Sequence, residues 1–166
     1  MKEEPIRILH IITSLEHGGA QFLASKLILN KNNSYIHSVY VLLDKGPYKE
    51  KLIQKGVEVI PSNSPNYFII FMRLVSCYLK IRPNIVHTWM YHSDLIGLML
   101  SLIFNKHKLI WSLHHSDPLN NKFFTKLVIR ICKLFAPHVP NKIIACSAIA
   151  LKNHAEYGYP LKNMKI

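Results

Sequence analysis

Acidic residues are scarce in this sequence: nine Asp and Glu stand against 21 Lys and Arg, a formal net charge of +12 over 166 residues. Such an imbalance attracts something anionic, whether phospholipid, nucleic acid or a phosphorylated substrate, and charge alone does not choose among them. Long hydrophobic runs are missing too. The stretch Tyr67 to Met72 is interrupted by Arg73 and falls well short of the roughly 20 apolar residues a spanning helix needs, so no transmembrane segment is expected. The opening Met1-Lys2-Glu3-Glu4-Pro5 carries two acids and a proline before only a short apolar run, which is wrong for a secretory signal. Cysteines number only three, Cys77, Cys132 and Cys146, widely spaced in apolar stretches, and read as reduced core thiols of a cytoplasmic protein.

Several chemical signatures are absent as well. There is no Gly-x-Ser-x-Gly elbow, no P-loop, and no pair of acids recurring at the predicted strand ends, which argues against ordinary hydrolase and nucleotide-hydrolysing chemistry. No helix-turn-helix, zinc-finger or RNP aromatic pattern accompanies the positive charge, so nucleic acid is not an expected partner. Internal repeats and low-complexity segments are lacking. No cofactor is expected.

What remains, 49% hydrophobic and 18% charged, suits one globular domain that buries about 70% of its unfolded surface without disulfides or a structural metal. Short β-rich runs at Ile6 to Ile12, Ser38 to Leu43, Val57 to Ile60, Ile85 to Thr88, Lys108 to Leu113 and Lys142 to Cys146 alternate with helical stretches. The helices fall near Gly19 to Asn30, Pro47 to Lys55, Tyr67 to Ile81, Ser93 to Phe104, Asn120 to Phe135 and Ala148 to Tyr157, and a further extended segment begins at Asn163. Strict alternation predicts right-handed βαβ crossovers and a Rossmann-like three-layer α/β/α domain with a parallel sheet of six or seven strands. Pro83 and Asn84 should close the third helix, and Ser147 should cap the last.

Ligands of such sheets bind outside the carboxyl ends of the strands. That rule selects Thr13 to Gly19, Asp44, His87 to Ser93, His114 to Asp117, and Ser147. Gly18 and Gly19 follow the first strand and open a helix; they permit either close approach of a phosphate or carboxylate to free N–H groups or merely a tight turn. Asp44, after the second strand, would be the ribose-holding acid of a stand-alone nucleotide or dinucleotide-binding module, but the Gly-x-Gly-x-x-Gly turn of that class is missing. His87, Trp89, Tyr91, His92 and Asp94 suit a hydroxyl-rich ligand by stacking and hydrogen bonding, while the plainer reading has Ser93 or Asp94 capping a helix and Trp89 packed in the core. The two histidines lack a recognised ligand spacing, so no metal is expected. Of the adjacent His114 and His115, one can face the cleft and the other away, unless both are surface residues before an Asp-Pro turn.

Two helices raise the question of membranes. Lys122, Lys126, Arg130 and Lys133 form one stripe within roughly 80°, opposite a packing face of Phe123, Leu127, Ile131 and Leu134, with Ile129 beside the cations. The stripe suits an anionic membrane surface, a protein partner, or simply solvent. The helix from Tyr67 to Ile81 carries one narrow polar stripe of Arg73, Ser76, Cys77 and Lys80 and reads as packed on the sheet.

In their order these residues resemble the group 1, or family 4, glycosyltransferases of the GT-B fold. The resemblance runs from Ile8-Leu9-His10-Ile11 and Gly18-Gly19-Ala20, through Arg82-Pro83-Asn84-Ile85-Val86-His87 and Trp89-Met90-Tyr91-His92-Ser93-Asp94, to Trp111-Ser112-Leu113-His114-His115-Ser116-Asp117, Ala145-Cys146-Ser147 and Tyr157-Gly158-Tyr159-Pro160. It implies an N-terminal, acceptor-side domain over 1–166. The nucleotide-sugar donor would be held mainly by a second domain with paired glutamates, which has no counterpart in this sequence, so the chain alone should be inactive. It further implies retaining transfer to a lipid-linked or polysaccharide acceptor, in the cytoplasm or peripherally at the inner face of the cell membrane. Gly18 and Gly19 would approach the donor diphosphate and acceptor, and His114 the transferred sugar, with His87, Trp89, Tyr91, His92, Asp94, His115 and Ser147 around them. Gln21 and Asn84 stand where relatives commonly carry acids.

Overall fold

A computed structural model describes residues 4–30, 34–118 and 122–166. Its elements alternate as the sequence predicts: β1 (Ile6–Ile12), α1 (Gly19–Leu29), β2 (Tyr35–Val41), α2 (Tyr48–Gln54), β3 (Glu58–Pro61), α3 (Tyr67–Ile81), β4 (Ile85–Trp89), α4 (Tyr91–Ile103), β5 (Lys108–Leu113), α5 (Phe123–Phe135), β6 (Lys142–Ala145), α6 (Ala148–Tyr157) and a short β7 (Met164–Lys165). The strand order is β3-β2-β1-β4-β5-β6-β7, a seven-stranded Rossmann-like parallel sheet. Asn120, the expected start of α5, lies outside the described residues. The chain divides into two compact units, the first ending at Val86 and the second beginning at His87.

In the first unit β1 pairs with β2 from Ile6↔Tyr35 to Ile12↔Val41, and β2 with β3 from Ser38↔Glu58 to Val41↔Pro61. Leu9, Ile11, Val39, Tyr40, Val41, Leu52 and Leu74 have no accessible surface, and each such side chain is worth about 1.5–3 kcal/mol of transfer energy. The Tyr40 hydroxyl donates to the Ile70 carbonyl at 2.7 Å, tying α3 to β2, and burial pushes the phenol up to about 12. Asn66 caps α3, accepting from the Phe68 N–H at 2.9 Å. The helix ends at Arg82, which takes the left-handed conformation (φ 50°) ahead of Pro83. Asn84 then bonds twice to Arg7: its Oδ1 accepts from the Arg7 N–H at 2.8 Å and its own N–H donates to the Arg7 carbonyl at 2.9 Å. Its amide oxygen thus serves as a structural acceptor at the start of β4.

The polar stripe expected on α3 is corrected at one position. Cys77 is buried with Ile70, Leu74 and Tyr78, because it falls on the same helical face as those residues.

In the second unit β5 pairs with β6 from Ile110↔Lys142 to Leu113↔Ala145, and Trp111, Leu113, Leu100, Ile129, Cys132 and Ile143 are fully buried. Helix α4 lies close to its sheet because it carries Gly97, where a Cβ would collide with the Thr88 methyl group. Ser147 caps α6 as predicted, accepting from the Ala150 N–H at 3.1 Å.

Three expectations fail here. Neither Ser93 nor Asp94 caps α4: the helix begins two residues earlier with Met90 at the cap, and both side chains are buried inside its first turn. Cys146 is exposed rather than a core thiol, since alternation along β6 buries Ile143 and Ala145 and turns Ile144 and Cys146 outward. On α5 the anticipated packing face is turned away from the sheet: Phe123 is 75% exposed, Leu127 47% and Leu134 70%, while the buried line is Ile129, Cys132 and Ala136. The buried side of α5 packs on α4, with the Cys132 thiol 3.9 Å from the Tyr91 carbonyl, and takes a β-branched residue, a thiol and an alanine.

Candidate functional site

The strand ends of the first unit form a turn anchored by backbone. After β1, the Leu43 N–H donates to the Thr13 carbonyl at 2.7 Å, the Leu15 N–H to the Lys45 carbonyl at 2.8 Å, and the Tyr48 N–H to the Leu15 carbonyl at 3.3 Å. Leu15 is fully buried and holds the turn in place from below. Opposite it sits Gly46 at φ +109°, so close to the Leu15 carbonyl that a Cβ there would overlap backbone atoms. The Ser14 hydroxyl donates to Glu16 at 3.1 Å, and the rings of His17 and Tyr48 meet edge-on at 5.8 Å.

Gly18 and Gly19 crown this turn. Gly18 is extended (φ 177°), a conformation open to any residue, so no left-handed backbone demands a glycine there. A Cβ on Gly18 would meet only the carboxamide of Gln21, the movable end of a side chain, and a Cβ on Gly19 would point into open space. Gly18 offers no side-chain cap to α1. The result is an exposed helix start with uncovered N–H groups, the arrangement that suits an anion. Asp44 is ion-paired with Lys49 at 2.6 Å, so its carboxylate is already engaged.

The second unit gathers aromatic rings and imidazoles at the ends of β4 and β5. His87, almost wholly buried, is hydrogen-bonded through Nε2 to the Ser112 hydroxyl at 2.8 Å, and its ring lies 4.5 Å from that of Trp89. Trp89 is also buried and stacks on His114 at 5.3 Å with planes 19° apart. His115 stacks instead on Tyr91, at 5.7 Å and 16°. The adjacent histidines therefore settle on two different rings, and both stay half-buried. Burial lowers the pKa of His114, helped by the neighbouring His115, and burial alone lowers that of His92; at neutral pH these rings are uncharged donors and acceptors.

Behind Tyr91 lies a chain of polar contacts that the sequence did not announce. The Nδ1 of His154 is 2.7 Å from the Ala150 carbonyl and must donate to it, so in the neutral ring Nε2 accepts from the Tyr91 hydroxyl, also at 2.7 Å. Burial lowers the His154 pKa and raises that of Tyr91, which keeps both groups neutral.

Asp94, selected from sequence as a sugar contact, is fully buried with Oδ1 on the Thr88 hydroxyl. Its Oδ2 has no hydrogen-bond partner among the described residues, and desolvation raises its pKa well above the usual value. The Thr88 hydroxyl donates to Oδ1 and also lies 3.3 Å from the Ile110 carbonyl, and its bond to the carboxyl opposes part of the desolvation. Asp94 thus joins α4 to β4. The N–H of Met90 donates to the Ser112 carbonyl at 3.1 Å while its φ is +72°, a strained value for a side-chain-bearing residue.

Ser147 is half-buried with its oxygen committed to the α6 cap. A cavity of about 300 Å³ beside the loop after β5 is lined by Asp117, Pro118, Asn153, Glu156 and Tyr157, with the Asn153 amide donating to the Ser116 carbonyl at 2.8 Å. Of the basic stripe, Lys133 lies over the Tyr157 ring at 4.7 Å, whereas Lys122, Lys126 and Arg130 form no ion pair among the described residues. No group of three His, Cys, Asp or Glu among the described residues is placed to hold a metal ion.

Gly46, Gly97 and His154 are positions that sequence reasoning passed over, and Met90 and Ser112 stood inside the selected motifs without a role. Gly46 and Met90 act through backbone, Gly97 through a close helix–strand approach, and Ser112 and His154 through partners far along the chain.

Solved structures share this fold. The Anabaena protein Alr3699/HepE in complex with UDP and glucose superposes with a TM-score of 0.77 at 18% identity, over 96% of this chain and 43% of that one. The lipopolysaccharide outer core galactosyltransferase WaaB, in its apo form, gives 0.68 at 16% identity, over 97% and 45%. UDP-GlcNAc 2-epimerase from Neisseria meningitidis, bound to UDP-GlcNAc, gives 0.68 at 11%, over 97% and 46%. The chain thus spans less than half the length of these structures, as one Rossmann-like half of a GT-B fold does. No curated protein matches it in sequence. Residues 35–166, which include the aromatic and imidazole cluster but begin after the glycine turn, match Glycosyltransferase Family 4, and with four-fifths of its length covered the chain belongs to that family.

Proposed function

We propose that this chain is the acceptor-side domain of a retaining glycosyltransferase that moves a hexose from a nucleotide-sugar to a lipid-linked or polysaccharide acceptor, and that it needs the other half of the GT-B fold to do so. The carrying observation is the pair of half-buried imidazoles, His114 and His115, stacked on Trp89 and Tyr91 at the strand ends. A neutral imidazole exchanges hydrogen bonds with sugar hydroxyls without attracting an unwanted counter-ion, and the stacked ring beneath fixes its plane. His114 would position the transferred sugar, with His87, Trp89, Tyr91, His92 and His115 shaping the wall around it. The uncovered helix start at Gly18 and Gly19 would face the diphosphate, donating N–H groups as leaving-group charge develops.

In the full-length enzyme His114→Ala should lower turnover about 100-fold while the melting temperature stays within a few degrees. Turnover within a few-fold of the parent, measured with nucleotide-sugar and acceptor extract, would remove His114 from the site.

A further inference from the structure

Two neighbouring residues of α6, Asn153 and His154, grip His115 from behind. His154 lies one turn beyond Ala150 on the buried face of the helix and has no accessible surface, so it cannot meet a substrate. Its hydrogen bonds run one way. The Ala150 carbonyl can only accept, which puts the ring proton on Nδ1 and leaves the Nε2 lone pair for the Tyr91 hydroxyl. The Tyr159 ring stands edge-on to the imidazole, 5.4 Å between centroids with planes at 82°. Burial keeps the imidazole neutral and the phenol protonated, so the direction of the bond holds at neutral pH.

This arrangement decides what Tyr91 can offer. Its one hydroxyl proton is committed to His154 and only 2% of its surface is accessible, which leaves the ring face as its working part. That face carries His115, stacked at 5.7 Å with planes 16° apart; of the three rings in series, His154, Tyr91 and His115, only the last is more than marginally exposed. The loop that carries His115 is held from the same helix. The Asn153 amide donates to the carbonyl of Ser116, the next residue, at 2.8 Å. One residue of α6 thus fixes the plane of His115 and its neighbour fixes the backbone beside it.

We infer that His154 and Asn153 are positioning residues that set the His115 imidazole against a hydroxyl of the transferred sugar, His154 through the Tyr91 ring and Asn153 through the Ser116 carbonyl. The sugar rests on the transferase reading, whereas the grip on His115 lies wholly within the second unit. A leucine at position 154 would fill the space but leave the Tyr91 hydroxyl buried without an acceptor, so the phenol turns toward water and draws its ring from under His115. A glutamine presents a donor and an acceptor at similar spacing and keeps Tyr91 in place.

The test begins on the 166-residue chain, with isotopically labelled histidine and long-range proton–nitrogen correlation NMR at neutral pH. His154 should show the tautomer protonated at Nδ1, and the His115 ring protons should be shifted upfield by the Tyr91 ring beneath them. His154→Leu should abolish that shift, His154→Gln retain it, and Asn153→Asp, which loses the donor at a half-buried position, reduce it. In the full-length enzyme His154→Leu should raise the KM for nucleotide-sugar about tenfold with kcat within about threefold, while His154→Gln stays within about twofold of the parent. Protonation of His154 at Nε2, or a His115 shift indifferent to both His154→Leu and Asn153→Asp, would overturn the grip; should the leucine variant not fold, the tautomer and Asn153→Asp decide. A glutamine variant as impaired as the leucine one would reduce His154 to packing and overturn its positioning role. The expected NMR shifts with an unmoved KM would refute the role in sugar binding while the transferase reading stands. An enzyme without nucleotide-sugar transfer would refute that reading and the sugar with it, and the NMR shifts would still decide the grip.

Discussion

Two strand-to-helix turns in this molecule place backbone strain in opposite ways. The turn after β1 spends glycines at Gly18 and Gly19, where the conformation is extended or helical and any residue would fit. The turn after β4 places Met90 at φ +72°, where glycine is the natural occupant. Glycine is thus used where room is wanted in front of the chain, and a side chain is kept where the chain itself is strained. In the first turn the chain presents bare backbone, which the proposed function assigns to the diphosphate. In the second it presents side chains, and Trp89, Met90 and Tyr91 are set in succession at the cost of about 1–3 kcal/mol of strain.

The contrast can be broken most severely from beneath the first turn. Gly46→Ala combines a left-handed conformation with a collision against the Leu15 backbone, so it should cost about 3 kcal/mol or more and displace the turn, measured by denaturant unfolding. Acid should act chiefly on the second unit, although burial also lowers the pKa of His37 in the first. His92, His107, His114 and His154 all have pKa values lowered by burial, His107 to about 4, so the folded state resists protons that the unfolded chain accepts below about 6.5. Their contribution is complete above that value and declines as pH falls toward the folded pKa values; calorimetry from pH 7 to 5 should show a loss of about 2 kcal/mol after allowing for solvent screening. A melting temperature that is flat over this interval would remove burial as the reason these rings are neutral.

A smaller change comes from Met90→Gly, which should relieve the strained cap and raise stability by about 1 kcal/mol. A lower melting temperature would mean that contacts of the Met90 side chain outweigh its backbone. Smallest of all is Gly19→Ala, which should leave stability within about 0.5 kcal/mol of the parent because its Cβ meets nothing. In the full-length enzyme the same methyl group would fill the space assigned to the diphosphate, so a rise in the KM for nucleotide-sugar against an unchanged fold is the outcome that separates room for a ligand from a mere turn.

Local pattern carried much of this architecture. β1, α3, β5 and α6 keep their predicted bounds because hydrophobic periodicity and caps such as Ser147 are properties of neighbouring residues. β2 begins earlier than expected, at Tyr35, since Tyr35, Ile36 and His37 belong to the ladder with β1 without being buried by it. The face of α5 was read from its amphipathic stripe, and such a stripe states that two sides differ without stating which one meets the sheet. The rings around His114 could be named from their places at the ends of β4 and β5. Their pairing, His114 on Trp89 and His115 on Tyr91, depends on the register of strands that sequence does not supply, and Gly46 and Gly97 are explained only by atoms distant along the chain.

Helix α5 packs on α4 and buries Ile129, Cys132 and Ala136, while the face carrying Phe123, Leu127 and Leu134 stays largely in solvent. A face left in solvent is largely exempt from the demands of folding, so its residues can drift over evolutionary time while the buried face and the strand ends stay fixed. Descendants of such a protein could acquire a different surface by editing one side of one helix, with the sheet beneath unaltered.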